Sequence, residues 1–186
     1  MSVGTRERIL KAAKEEFSRR GYYRTQISHI VERAGVARGT FYLYFKGKEE
    51  LFKELLLKTV SELRELIKPV ELSRDPKEQV RENLERILRY ALENEELARI
   101  VLFRACEPEL SGPVREFLNS IVKLTEDSLK KGIKMGLLKE HDPHAVARAV
   151  VGAVKETVAG LIEEGGDPKE LSEKLLSFSV GGLWRD

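Results

Sequence analysis

The chain has 186 residues, of which 41% are hydrophobic and 34% are charged. Its 33 basic and 31 acidic side chains leave a formal net charge of only +2, which argues against a polybasic tail. One cysteine, Cys106, excludes an intramolecular disulfide framework and a multi-cysteine metal site. No apolar run reaches the roughly 18 residues of a transmembrane helix, so we expect a cytoplasmic protein without a membrane partner.

The charge is unevenly distributed along the chain. Residues 1–50 contain 11 Lys and Arg against 6 Asp and Glu, which is a net of +5. Residues 51–186 contain 22 basic against 25 acidic side chains, which is a net of −3. This asymmetry predicts an anionic partner for the N-terminal part alone.

Apolar residues recur at intervals of three and four, and strand-type alternation is almost absent, which predicts an all-α fold of about nine helices. The first helix is predicted from an N-cap at Thr5 to a stop at Gly21, and Thr25 is the predicted N-cap of the second. The turn Ala34-Gly35-Val36 follows. The later helices are predicted over 38–45, 48–68, 76–94, 95–106, 112–135, 143–164 and 168–180.

Two short helices joined by Ala34-Gly35-Val36 have the spacing of a helix-turn-helix. At about 100° per residue, Phe41 and Phe45 share one face of the third helix, while Gly39 and Leu43 lie on the opposite face. We expect the phenylalanines to pack inward and the opposite face to meet DNA.

The residues around that outward face suit a major groove. Arg38 has the donors to read a guanine edge, and Leu43 can contact a thymine methyl. Tyrosine and lysine side chains can bind backbone oxygens and set the register. Gly39 allows close approach. These features predict a DNA-binding helix.

Residues 25–51, with Ile9–Ala13 and Phe17 to Tyr22 upstream, resemble the signature of the tetracycline-repressor (TetR) family of transcriptional regulators. The resemblance implies a homodimer that binds a palindromic DNA operator as a repressor and leaves it when a small apolar or amphipathic effector binds. It implies a helix-turn-helix domain at 1–47 and a helical ligand-binding and dimerisation domain at 48–186. Its DNA-contacting positions are Thr25, Arg38, Gly39, Thr40, Tyr42, Leu43, Tyr44 and Lys48.

Two positions depart from the family pattern. Ala37 stands where a capping side chain is common, so it is not expected to contact DNA through its side chain. Gly47 replaces a common polar residue, and a side-chain contact is absent there as well.

The predicted helix at 95–106 is apolar nearly all round, which is typical of a buried central helix. Arg104 interrupts it and needs a partner, which is Glu107, another carboxylate or an anionic ligand group; an internal pair or a solvent-directed Arg104 is the alternative. Residues near this helix are expected to line a ligand cavity, with ordinary core packing as the alternative for each. The candidates are Leu56, Val60, Tyr90, Phe103, Arg104, Glu107, Phe117 and Ile121.

The predicted helix at 143–164 carries a stripe of small residues that lets another helix come close. Together with the last helix it is expected to form a four-helix dimer interface, as the family resemblance also implies; close packing within one chain is the alternative. The interface candidates are Ala145, Ala149, Gly152, Ala153, Gly160, Leu171, Leu175 and Phe178.

An enzymatic function is not expected. The chain has no glycine-rich phosphate loop after a strand and no serine elbow, and no cofactor is expected. His141 and His144 straddle a helix cap without a cysteine or paired carboxylate motif, so no metal site is expected either. A helical protein–protein interaction module that does not bind DNA is the alternative from another class.

Overall fold

The computed structural model describes residues 2–103 and 108–185. Over these residues the chain has nine α-helices and a final 3-10 turn, and its β-type pairing is one isolated bridge between Leu138 and Trp184. The predicted all-α fold is confirmed. The helices are α1 Ser2–Arg20, α2 Ile27–Ala34, α3 Arg38–Tyr42, α4 Lys48–Leu66, α5 Pro76–Glu93, α6 Glu95–Phe103, α7 Pro108–Lys134, α8 Pro143–Glu164 and α9 Pro168–Val180.

One compact unit contains the chain up to Thr59 together with Asn94–Arg115. Its core is rich in aromatic side chains. The ring of Tyr22, which is 2% exposed, lies 5.3 Å from that of Phe17 and 5.2 Å from that of Phe52, measured between centroids. Ile9 and Ala13, about two turns and one turn before Phe17, are fully buried, so the predicted inner face of α1 is confirmed.

The second unit comprises Val60–Glu93 and the chain from Glu116 onward. In it α9 packs against α5 and α8. A buried cluster of Leu129, Leu138, Ala147 and Trp184 closes the C-terminal end, where Lys139 N donates to Leu183 O at 2.8 Å. The sequence did not predict this pairing. An isolated bridge between Leu138 and Trp184 is too short to produce the alternation of apolar and polar residues that indicates a strand.

Several predicted helix ends in the first unit are wrong. α1 begins at Ser2 instead of after an N-cap at Thr5, and α2 has Gln26 rather than Thr25 as its N-cap. α3 ends at Tyr42 with Leu43 as its C-cap, although Phe45 still packs inward.

The start of α7 is also wrong in the sequence-based prediction. The sequence predicted a helix from residue 112, but α7 already begins at Pro108 and runs through Pro113. Leu110 and Val114 are 0% and 1% exposed, so burial of this face outweighs the hydrogen bond that Pro113 cannot donate.

The predicted domain boundary after residue 47 does not coincide with the two compact units, since α4 continues from one into the other at Thr59. The functional division at this point therefore stays a prediction. Among the described helices, none combines the length and apolarity that a membrane span requires.

Candidate nucleic-acid interface

The Glu16 carboxylate, near the end of α1, accepts hydrogen bonds that hold α2 against α1. Glu16 is only 2% exposed, and it accepts hydrogen bonds from Arg33 Nε at 2.5 Å and Arg20 Nε at 2.6 Å. Burial alone would raise the pKa of Glu16, but the hydrogen bonds from Arg33 and Arg20 outweigh it and hold the pKa below its ordinary value. α1 and α2 are thus joined by an ion pair whose carboxylate is buried and whose guanidinium, on Arg33, is partly exposed.

Arg8 holds the turn between α2 and α3. Its guanidinium donates to Ala34 O at 2.8 and 3.1 Å and to Gly35 O at 2.9 Å. Gly35 adopts the left-handed conformation with φ 63°, and its N–H donates to Glu32 O. Neither Arg8 nor Glu16 was identified from sequence, because the partners that tie them to α2 and its turn lie 17 to 27 residues away in the chain.

α3 presents two different faces. Phe41 and Phe45 are 0% and 1% exposed, whereas Tyr42 is 48% exposed and Leu43 81%. The predicted orientation of this helix is confirmed. Arg38 and Gly39 are exposed as well, while Thr40 and Tyr44 are half-buried. A Cβ added at Gly39 would meet no atom of the protein within 4 Å, so the space before it is open.

The first turn of α2 is capped from both sides. The Gln26 side chain accepts from the backbone of His29, and His29 Nδ1 accepts from Gln26 N at 3.2 Å. Thr25, in contrast, is 1% exposed, and its hydroxyl donates to Gly21 O at 2.8 Å and Glu16 O at 3.1 Å. Its side chain is turned into the protein, and the expected contact of Thr25 with DNA stays a prediction.

Two lysines beside the outward face differ in their surroundings. Lys46 is exposed, whereas the half-buried Lys48 donates from Nζ to Tyr22 O at 2.8 Å and to Thr25 O at 3.2 Å. Ala37 is the N-cap of α3 and makes no side-chain hydrogen bond, as predicted. A Cβ at Gly47 would likewise be unopposed.

The residues predicted to line a ligand cavity lie in both units. Leu56 is 1% exposed and belongs to the core of the first unit. Phe103 is 47% exposed, so the prediction that α6 is buried on all sides is wrong. The Tyr90 hydroxyl donates to Glu62 Oε2 in the second unit. Half-buried side chains are found at Val60, Phe117 and Ile121. Arg104, Cys106 and Glu107 lie outside the described residues, and the partner of Arg104 stays open.

Most of the predicted dimer residues are accessible in the single chain. Ala145, Ala149 and Gly152 on α8 are exposed, and Phe178 on α9 is 84% exposed. Ala153, Gly160 and Leu171 are half-buried. Leu175 is 5% exposed in the single chain, and its place in the interface stays a prediction like that of the others.

The two histidines near the start of α8 have partners of their own. His144 Nδ1 lies 3.2 Å from Glu126 Oε2, and His141 Nδ1 lies 2.8 Å from Lys139 O. Within the described ranges, no three His, Cys, Asp or Glu side chains are grouped so that they could hold a metal ion.

Family models match the two parts of the chain separately. Residues 9–55 match the model for bacterial regulatory proteins of the tetR family, and residues 73–183 match that of a tetracyclin repressor-like C-terminal domain. The fatty acid metabolism regulator protein of Bacillus subtilis (strain 168) is 30% identical over 184 residues, which cover 94% of this chain and 93% of the relative.

Solved structures share the fold. A TetR-family transcriptional regulator from Syntrophomonas wolfei superposes with a TM-score of 0.82 at 24% identity, covering 96% of this chain and 94% of that one. The regulator FadR from Bacillus subtilis in complex with stearoyl-CoA gives 0.75 at 29% identity, covering 95% and 98%. The relatives are regulators and not enzymes. The chain therefore belongs to the TetR family and is a DNA-binding transcriptional regulator.

Proposed function

We propose that the protein is a ligand-responsive repressor, which binds a palindromic operator as a homodimer in the cytoplasm. The observation that carries this proposal is the outward face of α3, where Tyr42 and Leu43 are exposed while Phe41 and Phe45 anchor the helix in the core. An apolar side chain that is 81% exposed on a five-residue helix gains nothing for the fold. A partner surface accounts for it.

The exposed residues contact different parts of the DNA. Arg38 reads a guanine edge, and Leu43 contacts a thymine methyl in the major groove. The hydroxyls of Tyr42 and Tyr44, the Thr40 side chain and the Lys46 ammonium bind sugar-phosphate oxygens and fix the register. Because no atom of the described residues lies within 4 Å of a Cβ added at Gly39, the DNA can approach the helix backbone there.

A second copy of the chain covers the small-residue face of α8 and the exposed end of α9. Ala149 and Gly152 let a partner helix approach closely, and Phe178 is too exposed to stabilise a monomer. A two-fold dimer presents two copies of α3, which suits half-sites about 34 Å apart on one side of the duplex.

We assign the effector to the class of long-chain acyl-CoA thioesters. The proposal follows from the Bacillus subtilis regulator of fatty acid metabolism and from FadR, whose structure contains stearoyl-CoA. Such a ligand is amphipathic, with an apolar chain and an anionic head. The ligand dissociates the complex with DNA if it binds more tightly to the dimer conformation that does not fit both half-sites.

Selection from a random duplex pool tests DNA recognition. We expect an enriched sequence with two-fold symmetry, and binding to it, measured by fluorescence anisotropy, that weakens steeply as salt rises. A pool that enriches no sequence, or binding that does not respond to salt, contradicts the proposal.

Titration of the preformed complex tests the effector. Stearoyl-CoA is expected to release the selected duplex at micromolar concentration, on the order of 1–10 μM for a site of ordinary affinity. Free CoA and stearate serve as controls for the head and the chain. Equal release by all three, or by none, contradicts the assignment to acyl-CoA without affecting the DNA-binding proposal.

A further inference from the structure

The Lys48 side chain, at the first position of α4, is turned toward the protein. Its Nζ donates to the backbone carbonyls of Tyr22 at 2.8 Å and Thr25 at 3.2 Å. These two carbonyls bracket the short turn between α1 and α2. A single ammonium thus joins the start of α4 to the segment that leads into α2.

An aromatic surface completes the environment of this ammonium. Lys48 Nζ lies 4.2 Å from the centroid of the Tyr22 ring and 5.6 Å from that of Tyr23, within the range of cation–π attraction. Burial lowers the pKa of Lys48, and the Glu109 carboxylate acts in the opposite direction. An ammonium has three donors, and two of them are already bound to carbonyls.

The segment Tyr22–Thr25 is also fixed from the side of α1. The buried Thr25 hydroxyl donates to Glu16 O and Gly21 O, and the Tyr22 ring packs on Phe17 and Phe52. Without Lys48, the Thr25 carbonyl would lose the ammonium donor and the Tyr22 carbonyl would keep only the backbone N–H of Thr25, at 3.3 Å. The entry into α2 would then no longer be tied to the start of α4.

We propose that Lys48 is a positioning residue, whose ammonium holds the segment Tyr22–Thr25 against α4 and so sets how α2 and α3 meet the DNA, and that it is not a phosphate contact. This inference rests on the proposed DNA-binding function. It assigns the phosphate contact on this side to the exposed Lys46, two residues earlier.

Salt dependence distinguishes the two roles. Each phosphate contact contributes about 0.9 to the slope of log K against log salt on duplex DNA. A residue that only positions α2 and α3 contributes to affinity without changing that slope, because it releases no counterion from the DNA. Lys48→Met and Lys46→Met are a matched pair, since the same charge is removed from a packed and from an exposed side chain.

We expect Lys48→Met to bind the selected duplex about tenfold more weakly than wild type, with an unchanged salt slope. Lys46→Met is expected to lower the magnitude of the slope by about 0.9. A slope reduced to the same extent in Lys48→Met overturns the proposal, and so does wild-type affinity of that variant.

Thermal unfolding shows whether Lys48→Met folds. If it does not, Lys48→Arg is the variant that tests the proposal. A phosphate contact tolerates arginine, but the place between the Tyr22 ring and two carbonyls fits a compact ammonium and not a planar guanidinium. We expect weaker binding with an unchanged slope, and wild-type affinity of Lys48→Arg overturns the proposal. If selection recovers no sequence, it is the proposed function that fails.

Discussion

Leu43 and Phe41 lie two residues apart on α3 and serve opposite purposes. The exposed fraction is 81% for Leu43 and 0% for Phe41. Helical periodicity alone predicted this difference, because positions two apart point to opposite sides of a short helix. The sequence is therefore informative about which α3 side chains can reach a partner.

Truncation of Leu43 is expected to affect binding and not stability. Leu43→Ala should weaken binding to the selected duplex by roughly 1–2 kcal/mol, because a thymine methyl loses its apolar partner. The free energy of unfolding should change by less than about 0.5 kcal/mol, since the side chain is exposed. Anisotropy and urea unfolding measure the two quantities.

Leu57→Ala is the control for this truncation. Leu57 lies in the same unit and is 52% exposed, but it is on α4 and away from α3. We expect it to leave both binding and unfolding unchanged. An equal loss of affinity in both variants would mean that α3 has no special role.

The Glu16 pair is predicted to contribute stability that depends on pH. Glu16→Gln removes the charge that Arg33 and Arg20 hold, at a cost of about 1–2 kcal/mol near pH 7, reduced from a fully buried value because both arginines are partly exposed. The pKa of Glu16 is lowered in the folded state, so its contribution is present above its ordinary pKa of 4.5 and is lost as pH falls below that value.

Urea unfolding of wild type and Glu16→Gln between pH 7 and pH 3 measures this contribution. The difference between the two proteins should shrink toward acid. Glu15→Gln is a matched control, since Glu15 also pairs with Arg33 but is largely exposed, and we expect a change of less than about 0.5 kcal/mol. A difference that grows toward acid contradicts the role given to Glu16.

Lys48 shows what the sequence could not provide at this scale. A lysine at the first position of a helix is as compatible with a phosphate contact as with hydrogen bonds to carbonyls of the same chain. The carbonyls it binds lie 26 and 23 residues earlier in the chain. Such a partner depends on how three helices pack, and local pattern contains no information about it.

At the scale of elements, the contact between α5 and α9 contains a buried polar tie. Arg81 is 8% exposed, and it donates to Glu78, Glu85 and, at 3.1 Å, to the hydroxyl of the fully buried Ser172. Ser172 in turn donates to Lys169 O at 2.6 Å. These bonds satisfy a guanidinium that would otherwise be costly to bury.

Ser172→Ala is expected to destabilise the protein by about 1 kcal/mol, because Arg81 loses one acceptor but keeps two carboxylates. Ser177→Ala, on the exposed side of the same helix, should be neutral within about 0.5 kcal/mol. Urea unfolding measures both. A Ser172→Ala protein as stable as Ser177→Ala would mean that the tie contributes nothing.

Helix existence was predictable here, and several helix boundaries were not. α8 and α9 begin at Pro143 and Pro168, as the Asp-Pro signals indicated, and the Asp142 side chain accepts from His144 N and Ala145 N. α7 begins four residues before its predicted start at residue 112, and the added turn buries Leu110 completely. Strong local caps were reliable, and weak ones gave way to packing.

For the whole molecule, dimerisation is the property most easily separated from folding. Ala149→Arg places a long charged side chain on the exposed small-residue face of α8, where no neighbour in the same chain is displaced. We expect a monomer in sedimentation, with unchanged helicity, and loss of high-affinity binding to a two-fold duplex because each monomer contacts one half-site.

Ser128→Arg tests whether any exposed arginine in the second unit has this effect. Ser128 is exposed on α7, and this variant should remain dimeric. A dimeric Ala149→Arg protein with wild-type affinity would show that another surface joins the two copies.

The cap at the start of α2 also determines the form of one ring. A ring nitrogen that accepts a hydrogen bond carries no hydrogen, so the donation from Gln26 N to His29 Nδ1 selects the tautomer whose N–H is at Nε2. This tautomer leaves an N–H donor at the opposite side of the half-buried ring.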